Sequence, residues 1–200
     1  MAHIRSPIDQ DPDLVELAWA LPVALLYRDD GYETQENWTN CGPTSAANLL
    51  QSMGLDLDQK EVVRHVGVRT FFGLIIGGMT LDQMAELLGK ATARPVVIHR
   101  NLDLDTLRTH MQRANNPGHR FIANFDRRPL WGEGAGHFSP VLGYLDAHDQ
   151  VFVGDVNDDF DPFLTPTERL LEALNAVDDD TGLARGLLEV NVWGAAPATR

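Results

Sequence analysis

Apolar positions along the chain keep two different rhythms, and the change between them falls near residue 120. Before it, they recur mostly every three or four residues. Leu14, Val15, Leu17 and Ala18 predict a short helix capped by Asp11 or Asp13 and ended by Pro22. Val23 to Tyr27 fits either a second short helix or a strand. Ala46, Leu49, Leu50 and Met53 predict a helix that opens at Cys41 and stops at Gly54; Asn40 is a good N-cap residue and Pro43 suits only a first turn. Asp58, with Glu61 three residues on, has the form of a capping box before a helix through Val62 and Val63. Gly73 and Gly77-Gly78 punctuate the apolar run Phe71 to Ile76. Thr80 caps a helix through Leu81, Met84, Leu87 and Leu88 that should end at Gly89. Pro95 to His99 reads as a short strand, and Asp103 or Asp105 opens a helix through Leu104, Leu107 and Met111 that ends near Pro117-Gly118.

After residue 120 the apolar residues come in short runs. Phe121 to Phe125, His137 to Leu145, Gln150 to Val156 and Leu187 to Trp193 predict strands, with one helix inserted at 166–176. Helices followed by an antiparallel sheet predict an α+β fold with two facing lobes. Residues 1–11 read as a flexible arm, and 1–200 as a single domain.

Composition narrows the function classes. With 44% apolar residues the chain can bury a real core, and acidic residues outnumber basic ones 29 to 16, for a formal charge of −13. A broad basic surface for nucleic acid or anionic membrane is therefore not expected. The N-terminus lacks the apolar segment of a signal peptide and no apolar run reaches the ~20 residues of a membrane span, so a cytoplasmic protein is expected. A single cysteine excludes an internal disulfide and a cysteine-cluster zinc site. Histidines at 3, 65, 99, 110, 119, 137 and 148 show no metal-ligand spacing, and no resident metal is expected.

The candidate chemistry starts at that cysteine. Cys41 falls at a helix N-terminus, where free N–H groups and the positive end of the dipole stabilise a thiolate. A buried apolar role is the ordinary alternative for a lone cysteine. Gln35, six residues earlier, is placed to offer a side-chain amide to an oxyanion, or is simply a loop residue. The glycine-rich loop 126–136 delivers Gly136 and then His137 to the mouth of a strand, where a glycine permits close backbone approach and presents the ring at the sheet edge. A turn near residue 147 brings Asp155 roughly opposite His137 in a hairpin, within hydrogen-bonding reach. Cys, His and Asp in this order suit nucleophilic acyl transfer: His137 takes and returns a proton, and Asp155 fixes its tautomer.

These residues carry a resemblance. From about residue 20 to 192 the chain resembles the catalytic domain of phytochelatin synthase, a papain-like cysteine acyltransferase. The matching pieces are Thr34-Gln35 before Cys41-Gly42, Gly136-His137-Phe138-Ser139-Pro140 with Gly143-Tyr144, Asp155-Val156, Leu171-Glu172-Ala173-Leu174, Asp178, Thr181-Gly182 and Arg185-Gly186. The resemblance implies a papain-like two-lobe fold, Cys41 as nucleophile, His137 as base, Asp155 as orienting acid and Gln35 as oxyanion donor. It also implies a donor site at Asp178 and Arg185, which would hold the ammonium and carboxylate of a γ-glutamyl group, with Gly136 and Thr181 beside them. No cofactor is implied, and any heavy metal would ride on substrate thiols. Two departures stand out. Family members usually carry a basic, aromatic stretch after the Asp-Val pair, whereas this chain has Asn157-Asp158-Asp159-Phe160-Asp161-Pro162-Phe163-Leu164. The cysteine-rich C-terminal region of the eukaryotic members is absent from this sequence, so the short prokaryotic type is closer and metal sensing by the protein itself is not expected.

The first function expected is acyl transfer or amide hydrolysis through an acyl-enzyme, removing glycine from a γ-Glu-Cys-Gly donor, with water favoured as acceptor because the acceptor wall is altered. The alternative is an amide synthase of small-molecule biosynthesis, with a carrier protein or a dedicated amine as partner. A binding module with an inert site is the third, and competent residues at all four catalytic positions weigh against it. The oligomeric state stays open, a homodimer included.

Overall fold

The computed structural model describes residues 8–29, 31–66, 70–71, 74–75 and 78–194. Its helices are α1 (Pro12–Trp19), α2 (Pro22–Asp29), α3 (Cys41–Gln51), α4 (Gln59–Val66), α5 (Leu81–Thr92), α6 (Leu104–Ala114), α7 (Arg128–Trp131) and α8 (Thr167–Leu174). Its strands are β1 (Thr70–Phe71), β2 (Leu74–Ile75), β3 (Val96–His99), β4 (His119–Asp126), β5 (Gly136–Leu145), β6 (Gln150–Val153), β7 (Phe163–Pro166) and β8 (Gly186–Asn191). Among the described residues β1 and β2 pair only with each other, beside glycines that lie outside those residues. The other six form one antiparallel sheet in the order β3-β8-β4-β5-β6-β7.

Side-chain alternation along the strands sends successive residues to opposite faces, and each face is covered. Phe121, Ala123, Phe125, Val141, Val151 and Val153 pack against α6 and α8. Ile122, Phe138, Leu188 and Val190 pack against α3, α4 and α5, and Leu142, Phe152 and Leu164 against α1 and α2. The N-terminal helices thus form one layer facing the sheet, as expected, while α6 and α8 close its far side. Among the described residues no helix is long and apolar enough to cross a membrane.

Several expectations need correction. Asp9 exchanges two backbone hydrogen bonds with Leu164, at 2.7 and 2.8 Å, and Asp11 caps α1, so the end of the stretch read as a loose arm is tied to the sheet; residues 1–7 lie outside the described residues. Val23 to Tyr27, which the sequence left open between helix and strand, is helical, because Pro22 occupies the first turn of α2 rather than only ending α1. α5 runs through Gly89 to Thr92: a helical glycine costs only about 1 kcal/mol, and the buried Leu87 and Leu88 hold the turn in place. The segment after Asp155 is not all loop. Phe163–Pro166 pairs with β6 as an edge strand, and Phe163 and Leu164 are buried.

Candidate active site

Cys41 is the first residue of α3. Asn40 precedes it but makes no side-chain cap; its amide reaches Gln59 Oε1 instead, at 3.5 Å. The start of α3 is held by other groups. Gln59 Oε1 accepts from Thr44 Oγ1 at 3.0 Å and from Glu36 N at 3.1 Å, and Gln59 Nε2 donates to Thr34 O at 3.0 Å. Asn48 exchanges bonds with Glu33, accepting from its N–H at 2.8 Å and donating to its carbonyl at 2.9 Å. One turn below Cys41, Ser45 Oγ donates to the Phe138 carbonyl at 3.0 Å and docks the helix on β5 next to His137. These supports were invisible in the sequence, where Gln59 and Asn48 are unremarkable polar residues of two helices.

The thiol of half-buried Cys41 stands beside the His137 imidazole, close enough for that side chain to act on its ionisation. Burial alone would push the thiol up. The His137 hydrogen bond and charge, with the backbone of Phe138 and Gly42, outweigh it and hold Cys41 below the usual thiol value. His137 Nε2 lies 2.9 Å from Asp155 Oδ1, which leaves Nδ1 for the sulfur. Burial pushes the imidazole down, but hydrogen bonds to Asp155 and Cys41 and the charges of both raise it above its ordinary value. Phe125 fixes the ring edge-on, with centroids 5.6 Å apart.

The hairpin register differs from the expected one. Val141 pairs with Val153, and Gly154 N donates to Pro140 O, so Asp155 leaves the ladder short of His137, whose cross-strand partner is Phe125. The carboxylate reaches back diagonally and two further groups steer it. Asn157 N donates to Oδ1 at 2.9 Å, and Arg127 Nη2 reaches Oδ1 at 2.9 Å and Oδ2 at 2.7 Å. Burial raises this carboxyl, while the His137 hydrogen bond and the charges of His137 and Arg127 lower it further, leaving it below the ordinary carboxylate value. The sequence reading missed Arg127, which sits in a loop notable only for glycine. Gly134 lets Arg127 lie flat there, since a Cβ would fall 2.8 Å from that of Arg127. Phe160, from the acidic segment, roofs the guanidinium at 4.2 Å, so that segment keeps an aromatic function at the site.

Gln35 N donates to Val156 O at 2.6 Å, which ties the approach to Cys41 to the residue after Asp155, and Gln35 Oε1 is buried without a hydrogen-bond partner. Arg185 lies across Gly136, where a Cβ would fall 2.1 Å from Nη1. Its Nη1 donates to Asn124 Oδ1 at 3.2 Å and stands 3.6 Å from Asp178 Oδ2, while its Nε is buried with no partner. Asp178 and Arg185 are thus brought together one residue from His137, with Asn124 as a member the sequence did not suggest. Thr181 meets Asp178 through its backbone, its N–H donating to the Asp178 carbonyl at 3.3 Å, while its exposed side chain turns away and its hydroxyl accepts from Leu183 N within the turn.

The sequence and the fold have counterparts among known proteins. The phytochelatin synthase family model matches residues 26–187. A glutathione gamma-glutamylcysteinyltransferase 1 of Triticum aestivum is 34% identical over 186 residues, covering 84% of this chain and 36% of that protein. A glutathione gamma-glutamylcysteinyltransferase 2 of Arabidopsis thaliana is 23% identical over 182 residues, covering 80% and 38%. The chain therefore spans little more than a third of the length of these relatives. Among solved structures, a C39-like peptidase from Bacillus anthracis superposes with a TM-score of 0.58 at 15% identity, covering 81% of this chain and 94% of that one. The peptidase domain of Streptococcus ComA gives 0.54 at 16%, covering 80% and 96%. Both share the fold of a papain-like cysteine peptidase.

Proposed function

The chain belongs to the phytochelatin synthase family, and from that premise we propose that it cleaves the Cys–Gly amide of a γ-Glu-Cys-Gly donor through a Cys41 acyl-enzyme. The observation that carries this reading is the His137–Asp155 hydrogen bond with the Cys41 thiol beside the same imidazole, next to an Arg185–Asp178 pair that offers a fork and a carboxylate. His137 Nδ1 takes the thiol proton, and the thiolate attacks the amide carbon. The oxyanion is met by backbone N–H at the start of α3 and by the Gln35 amide. The imidazolium then gives its proton to the departing glycine amine, leaving a thioester. Water enters next; His137 removes its proton, and the second oxyanion collapses to free γ-Glu-Cys and Cys41. Asp155 keeps Nε2 protonated throughout, so that Nδ1 is the nitrogen that cycles.

Arg185 and Asp178 hold the donor's carboxylate and ammonium in this proposal, with Gly136 giving the guanidinium room. The reaction uses no resident cofactor, and a heavy metal enters only on substrate thiols. A cytoplasmic location and a free small-peptide substrate follow from the same reading. The acidic segment 158–161 favours water over an anionic thiol-peptide acceptor, and it also motivates the second reading, an amide synthase with a dedicated amine. Incubation with glutathione, followed by mass spectrometry, tests the first. Glycine release with a trapped γ-Glu-Cys adduct on Cys41 is expected; absence of both, with Cys41 still reactive toward iodoacetamide, moves the reading to the second.

A further inference from the structure

A second cluster of ionisable side chains lies on the α6 face of the sheet, away from Cys41. Glu189 sits opposite Val97 and Phe121, five residues along β4 from Asp126 at the Cys41 end, a separation of roughly 16 Å. Its carboxylate is 5% exposed and its two oxygens are treated differently. Oε1 is taken by Arg113 Nη2 and by His119 Nδ1, the latter at 2.8 Å. Oε2 faces His99 Nε2 at 3.0 Å and His110 Nδ1 at 3.9 Å, with the two imidazole centroids 4.1 Å apart.

The arrangement exceeds what an ion pair requires. Arg113 alone compensates the Glu189 charge, yet His99 and His110 converge on the other oxygen from β3 and α6. His110 is 8% exposed, and its Nδ1 is buried without a hydrogen-bond partner while aimed at that oxygen. An orphaned buried acceptor or donor of this kind is costly unless something fills the gap. One ligand atom each from His99, His110 and Glu189 lie within 4.8 Å of one another. A tetrahedral ion with bonds of about 2.0–2.1 Å holds its ligand atoms some 3.3 Å apart. Two of the three separations, 3.0 and 3.9 Å, lie on either side of that spacing, and the third is within 4.8 Å.

We propose that His99, His110 and Glu189 form a binding site for a borderline divalent cation such as Zn²⁺, with the fourth position left to water. Two imidazoles and a carboxylate suit that class of ion and not Ca²⁺ or Mg²⁺, which prefer oxygen. Arg113 and His119 are positioning residues: by holding Oε1 they turn Oε2 toward the ion, as outer-shell donors do at known sites. The side chains of His99 and His119 are each 18% exposed, which leaves an edge through which an ion enters.

Titration of the full Cys41→Ala chain with Co²⁺ tests this without the active-site thiol and independently of any acyl chemistry. One Co²⁺ per chain is expected, with visible d–d absorption of a tetrahedral site, displaced by Zn²⁺. His110→Leu and His99→Leu in the same background should weaken binding at least about 100-fold, while His148→Leu, at an exposed turn, should not. Should either variant fail to fold, the Cys41→Ala chain still answers: Zn²⁺ should shift the imidazole C–H resonances of His99 and His110 and spare those of His148. Binding that is equally strong in folded His110→Leu, no uptake of Co²⁺, or unshifted His99 and His110 resonances each overturn the site and leave a buried His–Glu–Arg cluster.

Discussion

Arg127 grips Asp155 with a single nitrogen, Nη2, which lies 2.9 and 2.7 Å from the two carboxylate oxygens, while Oδ1 also meets His137 Nε2. The side chains are 9% and 0% exposed, so the carboxylate's charge is confined between a guanidinium and an imidazole. An ion pair this buried is weak evidence of added stability, but removing one partner strands the other. Its use is orientation: the carboxylate cannot turn away from His137 without losing Arg127.

Arg127→Gln should therefore lower kcat by about tenfold or more at neutral pH, with KM little changed, and cost roughly 3 kcal/mol of stability. Arg127→Lys should not rescue it, because an ammonium lacks the flat guanidinium that lies beneath Phe160 and would leave that space unfilled. The stability loss should fade in acid. Asp155 is held below its unfolded value, so its contribution is present above about pH 4 and lost as pH falls through the folded value. Thermal melts across pH, set beside steady-state kinetics, decide the matter; unchanged kcat with a lowered Tm would make Arg127 structural only.

Cys41→Ser and Cys41→Ala should abolish turnover, whereas Asp155→Asn should retain some, because the carboxylate orients and does not itself exchange a proton. Residual activity of Cys41→Ser within about tenfold of the parent would rule out the nucleophile.

The rate of iodoacetamide labelling should rise through a midpoint below the ordinary thiol value, since Cys41 is lowered and His137 raised. His137→Ala removes the hydrogen bond and charge but leaves the burial penalty, so its midpoint should move up. Identical profiles for parent and variant would separate the thiol from the imidazole.

Most elements were legible because their caps and periods agree: Asp11, the Asp58–Glu61 box, Thr80 and Asp103 start helices where the sequence places them. Cys41, His137 and Asp155 were legible because a helix start, a strand mouth and a hairpin end are local features. What escaped depends on tertiary contact. Arg127 reaches Asp155 from a loop whose meaning lies in Gly134 and Phe160. β7 is four residues beside a proline-containing acidic segment, and its strand character comes from pairing with β6. His99, His110 and Glu189 belong to three different elements, so no linear spacing shows them together.

Gly136→Ala tests the approach of Arg185 to the mouth of β5. The added methyl would fall 2.1 to 2.4 Å from guanidinium atoms, so the flexible end of Arg185 must move. KM for a γ-glutamyl donor should rise about tenfold while Tm changes little, because a side-chain end yields more cheaply than backbone. Unchanged KM would detach Arg185 from donor binding.

Donor recognition is tested most directly by Arg185→Lys and Asp178→Asn. Their separation of 3.6 Å is looser than a bidentate pair, and Arg185 Nε is buried without a partner, so the guanidinium has donors to spare for a carboxylate. Loss of either partner should cost roughly 2–5 kcal/mol of donor binding. Lysine cannot restore the fork. Both variants should lower kcat/KM for a γ-glutamyl donor about a hundredfold or more, while iodoacetamide labels Cys41 at the parent rate. If the two residues serve only as a loop ion pair, each variant should instead lose thermal stability and keep its kinetic constants. That result would leave the cysteine chemistry in place, remove the γ-glutamyl donor, and favour the amide synthase.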